Sequence, residues 1–315
     1  MTLKVGTRGS ALALAQTRAV AARFAGEVEI VEVTTQGDVD RTSLSQLGGT
    51  GVFVSALRDA LLDGTVDVAV HSMKDLPTAP AEGIELAAVT KREDARDALC
   101  ARDGLTLDAL PEGARVGTGS PRRAAQLRAA RPDLEVVDIR GNVPTRLARA
   151  QGDAETGEGA DLDAVVLALA GLRRLGLEGA ATDLLDLSRF PTAPAQGALA
   201  VEVRAGDASA RAAVAKTDHV ATRAAVDAER RVLAGLEAGC AAPLGARAEV
   251  EDGMLFLTAS AYALDGSRRI TASHAHTLDS VSDRAELAEA ARDVAERAVA
   301  EMLEGGAAEL VAAAR

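Results

Sequence analysis

The sequence predicts two related α/β domains that share a cleft, followed by a small α+β domain with an antiparallel sheet. Three observations carry this reading. A strand, glycine turn, helix, strand unit occurs twice. Each copy is followed by a further apolar strand. In the last third of the chain, two Asp-Gly turns separate alternating runs. At 315 residues, 48% of them apolar, the chain exceeds what one core usually organises, so two or three domains are expected.

The first copy runs Val5-Gly6-Thr7-Arg8-Gly9-Ser10, a helix over residues 11–24, and a strand over 28–33. The second runs Val116-Gly117-Thr118-Gly119-Ser120, a helix over 121–130, and a strand over 134–139. Alanine- and leucine-rich runs between breakers favour helix, and short β-branched runs favour strand. The βαβ order calls for parallel strands and a right-handed crossover. Val66-Asp67-Val68-Ala69-Val70 extends the first unit and Asp163-Ala164-Val165-Val166-Leu167 the second. In such sheets ligands bind beyond the carboxyl ends of the strands. Residues 152–159 read as a polar loop. From Asp218 the pattern changes. A charged amphipathic helix over 218–236 precedes strands over 246–250, 254–263 and 268–276, and a helix over 282–303 follows. Glu251-Asp252-Gly253 and Leu264-Asp265-Gly266 punctuate the strands as hairpin turns.

Composition narrows the partners. Net charge is −12 and aromatic content 2%, which disfavours nucleic acid and anionic lipid and leaves no base-stacking platform. No stretch approaches the roughly 20 apolar residues of a membrane span. The amino-terminal residues show no basic run followed by an apolar run, so the expectation is a cytoplasmic protein, by default a monomer. Positive charge is nearly all arginine; the lysines are Lys4, Lys74, Lys91 and Lys216. Salt adaptation and a GC-rich genome explain that bias equally well. Cys100 and Cys240 form neither a disulfide framework nor a zinc pattern.

Several residues are candidates for chemistry. Ser120 reads as an N-cap, Pro121 as the first helical residue, and Arg122-Arg123 as cations at a helix N-terminus, a position that calls for an anion. Arg8 and Ser10 repeat the idea in the first copy. Arg140, Arg146 and Arg173-Arg174 follow at turns, and together these arginines suit a ligand with several carboxylates. His71-Ser72-Met73-Lys74-Asp75 closes an apolar strand. Lys74 suits an anion there. Asp75 suits a general acid/base or the stabiliser of a cationic intermediate. The alternative for each is a solvated surface charge or a capped loop. Cys240, in Gly239-Cys240-Ala241-Ala242-Pro243, is either an accessible sulfur or a small buried filler, and Cys100 reads as filler.

Seven stretches, in order, resemble the hydroxymethylbilane synthase (porphobilinogen deaminase) family. They are Gly6-Thr7-Arg8-Gly9-Ser10 with residues 12–16; Gly48-Gly49-Thr50-Gly51-Val52-Phe53; residues 69–75; Val116 through Arg123; Arg140-Gly141-Asn142-Val143 through Arg146; Ala168-Leu169-Ala170-Gly171-Leu172; and Glu237 through Pro243. The resemblance implies three domains: 1–94 plus 194–214, 95–193, and 215–315. The first two would be periplasmic-binding-protein-like with mainly parallel sheets. It implies a dipyrromethane cofactor joined by a thioether to Cys240, porphobilinogen as substrate, and no metal. Asp75 matches the catalytic aspartate that assists loss of ammonia and stabilises the azafulvene cation. Arg8, Ser10, Lys74, Asp75, Ser120, Arg122, Arg123, Arg140 and Arg146 match cofactor-binding positions. Arg8, Ser10, Phe53, Arg140, Arg146 and Arg174 match positions that meet the substrate.

The chain departs from the family pattern in places. Thr50 stands where many members have lysine, Pro121 and Pro144 replace leucine and glycine, and Pro194-Ala195 replaces the commoner valine-glycine. The competing readings are a non-enzymatic anion-binding protein on the same scaffold and a transferase acting on another polycarboxylate; fold alone does not separate them.

Overall fold

The computed structural model describes residues 2–34, 51–152, 159–239 and 242–313, with the backbone alone for 51–53. The first sheet contains β1 (Leu3–Thr7), β2 (Val28–Glu32), β3 (Val68–Ser72), β4 (Ile84–Val89) and β10 (Leu199–Arg204), in the order β2-β1-β3-β10-β4. The second contains β5 (Asp97–Ala101), β6 (Arg115–Gly117), β7 (Glu135–Val137), β8 (Ala164–Ala168) and β9 (Asp183–Leu184), in the order β7-β6-β8-β5-β9.

The two sheets match position for position. In each, three neighbouring strands are parallel, a fourth strand runs against them, and the edge strand beyond it resumes the common direction. The opposing strands are β10 and β5, and both lie next to a crossover between the domains. The chain enters the second domain on β5 and returns to the first on β10.

Helices follow the strands as the βαβ pattern requires. They are α1 (Ala11–Ala21), α2 (Gly51–Leu62), α3 (Pro121–Ala130), α4 (Val143–Gln151), α5 (Leu169–Arg174) and α6 (Ala208–Val214). Local chemistry sets their starts. Ser10 Oγ accepts from the Ala13 amide, Ser120 Oγ from the Arg123 amide, and Asn142 Oδ1 from the Thr145 amide. Pro121 and Pro144 occupy first-turn positions, where a missing N–H costs nothing. Helix α1 stops at Ala21 rather than Phe24: the chain leaves the helix, tucks Phe24 into the core and turns at Gly26 with φ 92°. Strand β7 covers only Glu135–Val137 of the expected 134–139, because it is an edge strand paired solely with the three-residue β6.

The third sheet is the antiparallel meander β11 (Leu244–Glu251), β12 (Met254–Tyr262) and β13 (Arg269–Thr277). Asp252 and Gly253 both have positive φ, 48° and 71°, the signature of the tight turn that suits the twist of a hairpin. Helices α7 (Val220–Gly235), α8 (Arg284–Glu304) and α9 (Ala307–Ala312) complete this domain. Small residues such as Ala224, Ala228, Ala291 and Ala298 let α7 and α8 lie close over Leu255 and Leu257. Among the described residues, no helix is long and apolar enough to cross a membrane.

Candidate active site

The candidate residues of the two α/β domains lie beyond the carboxyl ends of parallel strands. Arg8 and Ser10 follow β1, and Lys74 and Asp75 follow β3. Ser120, Arg122 and Arg123 follow β6, Arg140 and Arg146 follow β7, and Arg174 follows β8. The two sets face each other: a Cβ at Gly171 of α5 would stand 3.7 Å from Leu12 Cδ2 of α1. The cleft therefore lies where the rule for open α/β sheets puts a ligand.

Lys74 and Asp75 occupy a single 3-10 turn, Met73–Asp75, at the end of β3. Met73 is buried and anchors the turn, while Lys74 and Asp75 are half-buried. The guanidinium of Arg230, from α7, grips the turn from behind by donating to the carbonyls of Leu76 and Pro77 at 2.8 and 2.6 Å. A cavity of about 390 Å³ opens behind the turn, between Leu76, Pro77 and helices α7 and α8; it is separate from the cleft.

Arg122 and Arg123 are 3% and 7% exposed, so they are not solvated helix-end charges. The sequence reading leaves their anion to a ligand, but the protein supplies one. Asp97, at the start of β5 and 1% exposed, meets Arg122 Nη1 at 2.9 Å and Arg123 Nη2 at 2.6 Å. Burial alone would raise the Asp97 carboxyl, yet the two guanidinium groups hold it far below the usual carboxylate range. Arg122 also donates to the side chain of Gln126 and the carbonyl of Pro191, and Arg123 to the carbonyl of Val166. The Nε atoms of both arginines are buried without a hydrogen-bond partner.

The remaining cations surround this group. Lys74 Nζ donates to Gln196 Oε1 at 3.4 Å. Burial pulls its pKa down to about 8, with Asp75 and Asp97 opposing and Arg123 and Arg122 assisting. Arg146 donates its Nε to the Gly141 carbonyl at 2.7 Å. Its pKa also falls, through burial first and then through Arg123 and Arg140. Arg140 is exposed and pairs with Asp138 at 3.0 Å. Arg174 donates to the Gly197 carbonyl at 2.6 Å, and burial lowers its pKa against the pull of Glu93. Arg8 is half-buried just past β1.

Lys74, Arg122 and Arg123 thus surround Asp75 and Asp97, and Arg146 adjoins Arg123, which leaves a surplus of positive charge. Burial is the first cause of the depressed pKa values of Lys74 and Arg146, and a carboxylated ligand would supply a counter-charge to these cations. The donor set fits a dipyrromethane bearing acetate and propionate groups. Cys240 and Thr50 lie outside the described residues, as does the side chain of Phe53. Among the described residues, no cluster of His, Cys, Asp and Glu could hold a metal ion. Cys100 is fully buried in β5, and burial pushes its thiol up to about 12, consistent with filler.

Sequence reasoning passed over three residues. Asp97 opens a strand that otherwise reads as apolar, Asp97–Ala101. Gln196 joins Lys74 to Asp97. Glu229, in the charged helix α7, is fully buried and accepts from Arg92 at 2.5 and 3.0 Å and from the amides of Ala195 and Ala248, each at 2.6 Å. One carboxylate of the third domain thereby holds both crossovers. A buried Asp or Glu amid arginines was the available signal, but one sequence does not say which carboxylates are buried.

Known proteins bear on the site. Residues 3–212 match the family model described as porphobilinogen deaminase, dipyromethane cofactor binding domain, and residues 223–293 match the porphobilinogen deaminase C-terminal domain. The porphobilinogen deaminase of Leifsonia xyli is 63% identical over 98% of this chain and 94% of that protein. Its counterpart from Thermobifida fusca is 54% identical over 98% and 95%. Solved structures match more loosely, among them a putative methionine-binding lipoprotein from Bacillus subtilis, at 15% identity over 69% of this chain and 89% of that one, with a TM-score of 0.38. With family models matching both the cleft-forming and the C-terminal parts, and relatives aligned nearly end to end, the chain belongs to the porphobilinogen deaminase family.

Proposed function

We infer that this protein condenses four porphobilinogen molecules head to tail into hydroxymethylbilane, releasing one ammonia per unit, as a transferase of tetrapyrrole and haem biosynthesis. The carrying observation is the surplus of buried and half-buried cations around the Met73–Asp75 turn. Each porphobilinogen brings an acetate and a propionate, and a lengthening chain multiplies them. Guanidinium groups bind carboxylates in paired, directional hydrogen bonds, which suits repeated units of one shape.

Asp75 is the catalytic residue in this reading. Its carboxylate accepts a hydrogen bond from the substrate's protonated aminomethyl nitrogen and holds that proton on the departing ammonia. As the carbon–nitrogen bond breaks, the same carboxylate faces the positive charge left on the pyrrole methylene. Lys74, Arg8, Ser10 and Arg146 take up carboxylates from both lips of the cleft, with Arg140 and Arg174 nearer the incoming unit. Ser120, Arg122 and Arg123 form the floor beneath the bound pyrroles, and Phe53 borders the substrate. The dipyrromethane, when bound through Cys240, supplies a tethered pyrrole carbon nucleophile; tethering makes each condensation effectively intramolecular. Monomeric state and a cytoplasmic location belong to the same reading.

Incubation with porphobilinogen tests it: substrate disappears and acid oxidation yields uroporphyrin. The intact mass exceeds that of the polypeptide by two linked pyrroles, and Cys240→Ala lacks the increment. A catalytically active protein of unmodified mass ends the cofactor assignment. A chain that binds polycarboxylates without consuming porphobilinogen is a binding protein.

A further inference from the structure

Gln196 sits where the chain returns from the second domain to the first, between Ala195 at φ 66° and Gly197 at φ 91°. Two left-handed residues flanking one side chain are an uncommon arrangement, and Ala195 occupies its position at a steric cost that glycine avoids. A Cβ at Gly197 would meet the Glu93 carbonyl oxygen at 2.4 Å, so this chain crossing leaves no room for a side chain there. The surrounding backbone is gripped from three directions. Arg92 Nε donates to the Gln196 carbonyl at 2.8 Å, Arg174 Nη2 to the Gly197 carbonyl at 2.6 Å, and the Ala195 amide to Glu229 at 2.6 Å.

The strained turn presents an amide that is 1% exposed. Its Nε2 donates to the Ala95 carbonyl at 2.7 Å and to Asp97 Oδ1 at 2.8 Å. Both partners are acceptors, which fixes the orientation of the amide. Its Oε1 therefore faces cations, Lys74 Nζ and Arg123 Nη2, each at 3.4 Å. One side chain thus links an ammonium of the first domain to an aspartate and an arginine of the second, through the crossover between them.

We propose that Gln196 is a positioning residue for the condensation: it aims the Lys74 ammonium from the domain boundary, so that the reach of Lys74 into the cleft follows the angle between the two α/β domains. The proposal rests on the functional reading above only in taking Lys74 as a group that meets ligand carboxylates. A residue that merely braced the crossover would use its contacts with Ala95 and Asp97 and leave Lys74 unaffected.

The lysine-poor composition makes the test direct. Trace acetylation with acetic anhydride across a pH series, read by peptide mass spectrometry, gives a titration midpoint for each of Lys4, Lys74, Lys91 and Lys216. Gln196→Met removes the acceptor and lowers the Lys74 midpoint relative to the wild type by about one unit, or tenfold in acidity. Gln196→Glu turns a carboxylate toward the ammonium and raises it. Identical Lys74 midpoints in the wild type and whichever of these variants folds overturn the proposal. In turnover, Gln196→Met adds little to the loss caused by Lys74→Met, and multiplicative losses in the double variant also overturn it. A wild-type chain that leaves porphobilinogen unconsumed defeats the functional reading instead, and the Lys74 midpoints still decide the positioning role.

Discussion

Asp97→Asn keeps the size of the side chain and removes the charge that Arg122 and Arg123 share. Arg123 Nη2 and Gln196 Nε2 donate to Asp97 Oδ1 at 2.6 and 2.8 Å, and Arg122 Nη1 forms an ion pair with Oδ2 at 2.9 Å. An asparagine keeps one acceptor oxygen for Arg123 and Gln196 and turns an NH₂ group toward the Arg122 guanidinium. Two guanidinium groups, 3% and 7% exposed, then stand in the interior without a counter-charge. Breaking a buried pair from one side costs about 3–5 kcal/mol, chiefly through the uncompensated charge left behind. Urea denaturation at pH 7, followed by circular dichroism, measures the loss. A deficit under about 1 kcal/mol would refute the view that Asp97 is the anion these arginines require. The sign with pH is also fixed. The folded carboxyl lies below its unfolded value, so its contribution is complete above about pH 4 and is lost only as the pH falls through the depressed folded value. Adding Arg122→Met to Asp97→Asn should recover part of the stability, since one orphaned charge is then gone.

Glu202 gives a more accessible acid transition. Despite burial, which would raise it, His71 and Arg58 hold its carboxyl at about 2, below the ordinary 4.5. Its contribution, roughly 3 kcal/mol at neutral pH, should be lost between about pH 4.5 and 2; stability curves of the wild type and Glu202→Gln that stay parallel there would contradict this. Glu229→Gln should cost about 3–5 kcal/mol and separate the unfolding of the third domain from the rest, visible as a second calorimetric transition. Asp75→Asn should fold like the wild type and lose roughly 10²- to 10⁴-fold in turnover; an undiminished rate in single-turnover assays removes Asp75 from the chemistry.

Much of the architecture was legible because it rests on local chemistry. The Ser120-Pro121 start of α3, the hairpin turn at Asp252-Gly253 and the two βαβ units are written in propensity and spacing. Strands β4, β9 and β10 were not, because their places in the sheets come from long-range pairing: β10 joins strands more than a hundred residues upstream. The arginines of the cleft were legible as a set, since cations at strand ends and helix N-termini stand out in an acidic chain. Their division of labour was not. Arg122 and Arg123 look like Arg140 in sequence, and only burial separates a buried pair tied to Asp97 from an exposed cation beside Asp138. Glu229 was hidden for the converse reason: in a helix rich in Asp, Glu and Arg it resembles a solvated face.

The late return of β10 to the first sheet carries a consequence for biosynthesis. Strand β10 lies between β3 and β4, so no direct ladder joins those two strands. While a ribosome is still making the second domain, the first has an unfilled slot in the middle of its sheet, with backbone donors and acceptors exposed on both sides. The slot fills only when residues 199–204 emerge, after all of β5 to β9. The domain built on β1 to β4 is thus translated ahead of the second but is completed only after the second domain's strands have been made. Truncation anywhere before Leu199 leaves a chain with open edges, prone to pair with its neighbours rather than to persist as a free-standing half.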